Sequence, residues 1–323
     1  MNERYDQMYL AATQYYVQGE TMESIARRLD ISRSTVSRLL SAARESGLVR
    51  ITIADSASSH SPIARALNDA FGVAVHMVAA HGSATLITRI DQVAQRGASL
   101  LAEVVDDDYV IGVAWGVTMA ALTRHLPRRP LAGSTIVQMN GGASHHTSGV
   151  PWIREILQSV GDAFGSEVTL FPVPAFFDFA ETKQAMWRER SVRRVLARLA
   201  RMDVAVFGVG SLTGAVASHV YAAGYLEGSE RTALLADGVV GDVCTVLIRE
   251  DGTFADIEAN QRATGPTPAE LQRVPRRICV VADPLRAPAV LGALRAGAVT
   301  DLVIDDVTAR ATLARIAPVR ARA

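Results

Sequence analysis

Two kinds of hydrophobic spacing divide this chain. Residues 1 to about 50 carry only the spacing of amphipathic helices, whereas from about Val73 onward short β-branched runs alternate with longer helical patterns. The second pattern is typical of an α/β fold with a mainly parallel sheet. The stretch between them is rich in small and polar residues and ends at Pro62, which is the composition of a linker. We therefore expect an all-α domain at residues 1–54, a linker at residues 55–62 and a Rossmann-like, mainly parallel α/β domain at residues 63–323.

Eight apolar runs in the second region predict strands, and helical patterns follow most of them. The expected strands are Val73–Val78, Tyr109–Ala114, Thr135–Met139, Glu167–Phe171, Val204–Phe207, Val243–Ile248, Ile278–Val281 and Leu302–Ile304. The expected helices are Ile63–Ala70, Ser83–Val105, Thr118–His125, Pro151–Phe164, Glu181–Ala200, Leu212–Tyr225, Ala287–Ala296 and Val307–Ile316.

Residues 22–41 have the apolar spacing of two short helices that cross at a tight turn. The apolar positions that carry this spacing are Ile25, Leu29, Ile31, Val36 and Leu39. Thr21 and Ser32 can cap the two helices, and Asp30 occupies the turn, where Asp tolerates the left-handed conformation. An upstream helix within residues 5–17 would cover the pair from behind. The pattern predicts a helix-turn-helix.

The second helix of this motif would bury Val36, Leu39 and Leu40 and leave polar side chains outside. Such side chains reach base edges and phosphates when a recognition helix docks in the major groove of DNA. The candidates for DNA contact are Arg33, Ser34, Thr35, Ser37 and Arg38. Arg50, in the short alternating segment Leu48–Ile53, could contact the phosphate backbone. The alternative is a helical scaffold that docks onto the rest of the chain.

Charge and composition narrow the class of protein. The net charge is zero, so the six arginines within residues 27–50, against two acids, form a local basic surface. No apolar stretch approaches the roughly 18 residues that a bilayer span needs, and the polar N-terminus lacks a signal-peptide core. Cys244 and Cys279 lie in apolar runs, as buried thiols do. We expect a cytoplasmic protein without a membrane partner.

Five segments near the ends of predicted strands carry groups suited to a small polar ligand, and we expect them to meet in one pocket at the carboxyl edge of the sheet. They are Trp115–Thr118, Asn140–Gly142, Gly208–Gly214, Asp242 and Arg286. Asp242 can accept sugar hydroxyls and Arg286 can clamp a phosphate, but a turn or helix cap and a solvated surface arginine remain the alternatives. The segment Gly208–Gly214 places its last glycine one residue too far for a dinucleotide motif, so no cofactor is expected.

Six ordered segments resemble the SorC family of bacterial sugar-responsive regulators, which join a helix-turn-helix to a sugar-binding domain related to glucosamine-phosphate isomerases. The segments are Gly112–Thr118 (GVAWGVT), Val137–Gly142 (VQMNGG), Phe171–Phe176 (FPVPAF), Gly208–Ser211 (GVGS), Gly238–Asp242 (GVVGD) and Thr300–Thr308 (TDLVIDDVT).

The resemblance implies a DNA-binding transcriptional regulator of carbohydrate or polyol metabolism. It implies a sugar, polyol or sugar-phosphate effector, double-stranded operator DNA and a homodimer or homotetramer. It also implies effector contacts at Trp115, Gly116, Thr118, Asn140, Gly141, Phe176, Gly208, Gly210, Ser211, Asp242 and Arg286. The family commonly has a lysine near the position of Arg286, and some members use a lysine covalently. Because Lys183 is the only lysine and lies in none of these loops, covalent capture of an aldehyde sugar is not expected.

Two other classes of protein remain as alternatives. A sugar-phosphate isomerase or deaminase could use Asp242, His145, His146 or His219 as acid and base, since the resemblance includes such enzymes. The adjacent pair His145 and His146 lacks a carboxylate or cysteine at ligand spacing, so neither a metal nor catalytic residues are expected. An architectural DNA-binding protein without a ligand would leave the second domain unexplained.

Overall fold

The computed structural model describes residues 3–49, 61–80, 83–143, 150–215, 218–222 and 224–316. The chain divides into two units, Met1–Asp55 and Ser56–Ala323. Three sequence predictions fall wholly or largely outside the described residues: the linker up to residue 60, Arg50 with most of the segment Leu48–Ile53, and the pair His145 and His146. Within the described ranges, every helix is too short or too polar to cross a bilayer.

The described part of the first unit, residues 3–49, contains three α-helices and one π-helical turn. Their bounds are α1 Glu3–Ala12, the π-helix Thr13–Val17, α2 Met22–Leu29 and α3 Arg33–Glu45. Thr21 accepts a hydrogen bond from the Ser24 amide at 3.2 Å, and Ser32 accepts one from the Thr35 amide at 3.1 Å. Asp30 has a φ of 53° between the two helices. The predicted helix-turn-helix is confirmed, with both caps and the left-handed turn.

A small apolar core holds these helices together. Its buried members are Met8, Ala11, Ala12, Ile25, Ala26, Val36, Leu39, Leu40 and Ala43. Helix α1 packs on α3, as expected for an upstream helix that covers the pair. Leu48 and Val49 pack against the same core in a bend, so the described start of the predicted segment Leu48–Ile53 is not a strand.

The second unit is built on a sheet of seven parallel strands. The strands along the chain are β1 Ala74–Val78, β2 Val110–Val113, β3 Thr135–Gln138, β4 Glu167–Thr169, β5 Val204–Phe207, β6 Val209–Ser211, β7 Val239–Val243, β8 Val246–Arg249, β9 Arg276–Val281 and β10 Asp301–Asp305. The large sheet has the order β1-β10-β9-β5-β2-β3-β4, and each neighbouring pair is parallel. The predicted α/β class with a mainly parallel sheet is confirmed.

Helices cover both faces of this sheet. Their bounds are α4 Pro62–Phe71, α5 Leu86–Val104, α6 Val117–Thr123, α7 Val150–Phe164, α8 Ala180–Met186, α9 Arg190–Leu199, α10 His219–Ala222, α11 Gly228–Ala236, α12 Pro268–Leu271, α13 Ala287–Arg295 and α14 Asp306–Ile316, with 3₁₀ turns at Glu258–Gln261 and Pro284–Arg286. Side chains of β5 alternate between two buried clusters, because Val204 and Val206 join one and Ala205 and Phe207 join the other. Helices α5 to α7 cover the first face, and α4, α9, α13 and α14 cover the second.

The predicted single strand Val243–Ile248 is wrong. Strands β7 and β8 form an antiparallel hairpin whose two turn residues are Cys244 and Thr245, with φ of 49° and 72°. Two successive positive φ angles give the turn that matches the twist of a hairpin, although neither residue favours that conformation. Strand β6 pairs with β7 and completes a separate three-stranded sheet. The continuous apolar run concealed the turn.

Two helix predictions also fail. The range Leu212–Tyr225 contains only the short α10 among its described residues, because β6 extends to Ser211 and the Ser211 hydroxyl then accepts a hydrogen bond from the Thr213 amide, which turns the chain. The range Glu181–Ala200 is split into α8 and α9, and Trp187 at the break packs against Phe171 and Phe177. Helices α11 and α12 were not predicted.

Candidate functional site

A cavity lies at the carboxyl edge of the large sheet, where the strand order reverses. The chain runs from β2 to β3 and β4 on one side and from β5 to β9 and β10 on the other, so the switch point lies between β2 and β5. Open α/β sheets bind ligands in the crevice at this point. The cavity is lined by the segments that follow β2, β3, β5 and β9, and its volume is about 60 Å³.

Eight of the eleven residues predicted to contact an effector line this cavity. They are Trp115, Gly116, Thr118, Asn140, Gly208, Gly210, Asp242 and Arg286. Segments that are far apart in the sequence therefore meet at one place, as the rule for the carboxyl ends of parallel strands predicts.

Asn140 lines this cavity and carries an unpaired hydrogen-bond acceptor. The residue follows β3 and is only 2% exposed, and its side-chain oxygen Oδ1 has no hydrogen-bond partner among the described residues. Its backbone carbonyl is paired, since it accepts hydrogen bonds from Trp115 Nε1 at 3.1 Å and Gln138 Nε2 at 2.7 Å. A buried polar atom without a partner costs about 1–3 kcal/mol. Asn140 Oδ1 therefore has unused capacity to accept a hydrogen bond.

Trp115 fixes the two loops that follow β2 and β3. Its Nε1 also donates to the Gly141 carbonyl, at 3.0 Å, so the indole N–H is already used within the protein. The ring centroid lies 6.3 Å from those of Trp152 and Tyr225. The Trp115 ring can therefore contact a ligand, but its Nε1–H already donates to carbonyl groups of the loop after β3.

Asp242 is a buried carboxylate whose two oxygens hold neighbouring elements. Oδ1 accepts a hydrogen bond from the Tyr221 hydroxyl at 2.8 Å, and Oδ2 accepts one from the Thr245 amide at 2.9 Å. Burial raises the pKa of the Asp242 carboxyl, although the Tyr221 and Thr245 hydrogen bonds and the charge of Arg286 act to lower it. Burial and the nearby Asp242 raise the pKa of Tyr221 well above its usual value. Asp242 therefore holds the strained hairpin turn at the cavity wall.

Arg286 is the cation that lines the cavity. It ends the 3₁₀ turn after β9, donates from Nη1 to the Val209 carbonyl, and places Nε 3.8 Å from Asp283 Oδ2. Burial lowers the pKa of the Arg286 guanidinium, while the charges of Asp283, Asp242 and Tyr221 act to raise it. Among the described lining residues, Arg286 is the one cation and Asp242 the one anion.

Three predicted effector residues lie away from the cavity wall. Gly141 donates its amide to Thr264 Oγ1 at 3.1 Å, and a side chain at this position would overlap the carbonyl oxygens of Val173 and Pro174. Phe176 lines a separate groove. The Ser211 hydroxyl bonds to the Thr213 amide.

Four lining or supporting residues whose side chains can form hydrogen bonds were not predicted from the sequence. Ser218, Cys244 and Thr245 line the cavity, and Tyr221 bonds to Asp242 behind it. Ser218 and Tyr221 lie in the range where a helix was expected, Leu212–Tyr225. The hairpin turn lies in the expected strand Val243–Ile248. The spacing of the glycines around Asp242 was the available signal for a turn.

The predicted DNA-contact residues lie on the outer side of α3. Arg33, Ser34, Ser37 and Arg38 are exposed, whereas Thr35 is half-buried. The Thr35 hydroxyl lies 2.8 Å from Ser32 Oγ and accepts a hydrogen bond from Arg38 Nη2 at 3.3 Å. Thr35 thus joins the helix cap to the arginine and helps to orient it.

Metal binding has no candidate site in the described part of the chain, where no three histidine, cysteine or acidic side chains are grouped as a metal would require. Cys244 and Cys279 are buried free thiols.

Comparison with known proteins adds independent information. The Sugar-bind model of sugar-binding domains matches residues 56–314, and a homeodomain-like model matches residues 4–51. The deoxyribonucleoside regulator of Bacillus subtilis (strain 168) is 29% identical over 301 residues, which cover 93% of this chain and 95% of that protein.

Two solved structures share the fold. A domain of "a possible sugar-binding transcriptional regulator" from Arthrobacter aurescens TC1 is 41% identical with a TM-score of 0.74, and the match covers 81% of this chain and 100% of that domain. The full-length sorbitol operon regulator SorC from Klebsiella pneumoniae is 24% identical with a TM-score of 0.78. The match covers 97% of this chain and 100% of that protein. These relatives are transcriptional regulators and not enzymes. The chain belongs to the SorC family of transcriptional regulators with a sugar-binding domain.

Proposed function

We propose that this DNA-binding regulator is controlled by a small sugar or polyol that occupies the switch-point cavity and donates one hydroxyl hydrogen bond to Asn140 Oδ1. The observation that carries the proposal is this buried, unpaired oxygen in a polar cavity where open α/β sheets bind ligands. Thr118 and Asp242 supply further groups that can bond to hydroxyls.

The charges around the cavity favour a neutral effector over its phosphate ester. Arg286 is the cation of the described lining, and two buried carboxylates, Asp242 and Asp283, act on its charge. A phosphate dianion in the cavity would lie beside Asp242, with the buried charge of Asp283 behind Arg286, whereas a neutral hydroxyl can donate to Asp242. A phosphate held by Arg286, which the sequence also suggested, is the alternative outcome.

We also propose that α3 contacts double-stranded operator DNA through Arg33, Ser34, Thr35, Ser37 and Arg38. The support is the exposure of four of these side chains on a capped helix of a helix-turn-helix. A homodimer or homotetramer would place two such helices on palindromic half-sites, in the cytoplasm where the operator is. In this proposal residues 1–54 form the DNA-binding domain, residues 55–62 form the linker and residues 63–323 form the effector-binding domain.

A thermal-shift screen tests the effector class. The compounds are erythritol, ribitol, sorbitol, ribose and their terminal phosphates. A ligand at 100 times its Kd stabilises the folded state by about 2.7 kcal/mol, which corresponds to a rise in Tm of roughly 5 °C for a domain of this size. We expect at least one neutral compound to produce this rise and its phosphate ester to produce less.

Two leucine variants locate the binding site. Asn140→Leu removes the unpaired oxygen from the cavity and should abolish the ligand-induced rise without lowering the Tm of the free protein, because no hydrogen bond to Oδ1 is lost. Gln92→Leu is the matched control, since Gln92 Oε1 on α5 is also buried and unpaired among the described residues but lies outside the cavity lining. A full ligand-induced rise in Asn140→Leu would contradict the proposed site, and a rise with phosphate esters alone would contradict the neutral class.

A further inference from the structure

The segment Thr300–Thr308, which the sequence analysis singled out, does not line the cavity. Its last part instead forms a buried polar network at the start of α14. Asp305 Oδ1 accepts hydrogen bonds from the amides of Val307 and Thr308, at 3.1 and 3.0 Å, and from Arg89 Nη1 at 3.0 Å. Asp305 Oδ2 accepts a hydrogen bond from the Thr308 hydroxyl at 2.5 Å.

The Thr308 hydroxyl continues this network to the loop after β9. Its oxygen accepts a hydrogen bond from the Asp283 amide at 2.9 Å. An ionised carboxylate can only accept and an amide N–H can only donate, so the group between them must do both. A hydroxyl has this capacity, and Thr308 is fully buried, which leaves no solvent to replace it.

Asp283 needs such support because its backbone is strained. Its φ of 116° is rare for a residue with a side chain, and it precedes Pro284, which further restricts its conformation. Residues in such conformations persist where the surrounding bonds determine them. Asp283 is 1% exposed, so its amide would have no partner without Thr308.

The strained residue in turn holds two parts of the cavity wall. Asp283 Oδ1 accepts a hydrogen bond from the Leu285 amide at 3.0 Å, which shapes the turn that carries Arg286, and Oδ2 lies 3.8 Å from Arg286 Nε. Oδ2 also accepts a hydrogen bond from the Ala215 amide at 2.9 Å, in the segment that follows β6. A change at Asp283 would therefore move Arg286.

We infer that Thr308 is a positioning residue for the effector cavity: its hydroxyl joins Asp305 to Asp283 and thereby sets the place of Arg286. The inference rests on the proposed function as far as the effector is concerned. The role of the hydroxyl at Asp283 can be tested without any ligand.

Hydrogen exchange of the full chain tests the ligand-independent part. In Thr308→Val, we expect the Ala215 and Leu285 amides to exchange at least about tenfold faster. Both amides donate to the Asp283 carboxylate, and the variant lacks the hydroxyl that holds the Asp283 backbone in place. Thr312→Val is the matched control, since Thr312 is equally buried on the same helix but donates to the Thr308 carbonyl. Thr308→Ser keeps the hydroxyl and should restore slow exchange. If Thr308→Val does not fold, Thr308→Ala replaces it, and we expect the same increase in the exchange of these two amides.

Titration with erythritol, ribitol, sorbitol and ribose tests the effect on the cavity. Thr308→Val should raise the Kd of the bound compound at least about tenfold, whereas Thr312→Val and Thr308→Ser should change it by less than about twofold. Unchanged exchange in Thr308→Val, or equal effects of the two valine variants, would overturn the inference. If no compound binds the wild type, the proposed effector class fails, while the exchange rates still decide the role of Thr308.

Discussion

Asn140 and Asp242 are both buried polar residues of one cavity, but they differ in how their side chains are bonded. Both oxygens of Asp242 hold protein groups, Tyr221 and the Thr245 amide, whereas Asn140 Oδ1 has no partner in the described part of the chain. Replacing Asp242 should therefore change the shape of the cavity. Replacing Asn140 should change only what the cavity can bind, so Asn140 variants report more directly on contact with the effector.

Arg38 provides the corresponding test on α3. Arg38→Ala should weaken operator binding by about 1–3 kcal/mol, because an exposed guanidinium on a recognition helix makes base or phosphate contacts. Fluorescence anisotropy with labelled operator DNA measures the change at fixed salt. Effector binding should stay as in the wild type.

Arg65 supplies the control for Arg38. It is also an exposed helical arginine, but it lies on α4 in the second unit. Arg65→Ala removes the same charge and should leave operator affinity nearly unchanged. Equal losses in the two variants would show that net charge, and not the position of Arg38, determines affinity.

At the scale of elements, the accuracy of sequence prediction depended on how local the determining contacts are. The helix-turn-helix was predicted down to Thr21, Asp30 and Ser32, because caps and turns are set by neighbouring residues. The hairpin of β7 and β8 was missed, because Cys244 and Thr245 are not turn-forming residues and distant groups help Asp242 to hold the turn. One of these groups is the Gly265 amide, which donates to Thr245 Oγ1 at 3.2 Å.

Gly265 tests how tightly this hairpin turn is packed. A Cβ atom at this position would overlap the Cys244 carbonyl oxygen, which is backbone and cannot rotate away. Gly265→Ala should therefore lower the free energy of unfolding by about 1–3 kcal/mol. Gly228→Ala, in the first turn of α11 with open space around it, should be neutral or stabilising by about 0.5–1 kcal/mol. Urea unfolding measures both values, and equal effects would contradict the packing argument.

At the scale of the whole molecule, strand alternation was enough to predict a mainly parallel sheet and the meeting of several loops at its carboxyl edge. It could not predict the small sheet, because β6 and β7 are separated by the range where a helix was expected and their pairing is not local. For this reason the sequence indicated the residues after β2, β3 and β5 that line the cavity, but it did not indicate the partners of Asp242.

The opposite edge of the sheet carries an ion-pair cluster that should make stability depend on pH. Asp301 Oδ1 lies 3.2 Å from His76 Nε2 and 2.9 Å from Arg276 Nη2. Burial acts to raise the pKa of Asp301, but the hydrogen bonds from His76 and Thr300 and the charge of Arg276 hold it below its ordinary value of 3.8. A carboxylate with a lowered pKa in the folded state stabilises above the unfolded pKa, and this contribution is lost as the pH falls through the folded value.

Asp301→Asn should therefore lower the free energy of unfolding by about 1–3 kcal/mol at neutral pH, and the difference from the wild type should shrink as the pH falls below about 4. Urea unfolding followed by tryptophan fluorescence measures this difference in the free energy of unfolding. The signal comes from the second unit, which contains Trp115, Trp152 and Trp187. A difference that is as large at pH 3 as at pH 7 would mean that the charge of Asp301 does not matter.

A crystal structure of the full chain with the compound that stabilises it most in the thermal-shift screen tests the effector site most directly. We expect a ligand in the cavity between the ends of β2 and β5, with a hydroxyl oxygen within hydrogen-bond distance of Asn140 Oδ1, about 2.5–3.0 Å. A ligand bound elsewhere, with Asn140 Oδ1 still unpaired, would contradict this expectation.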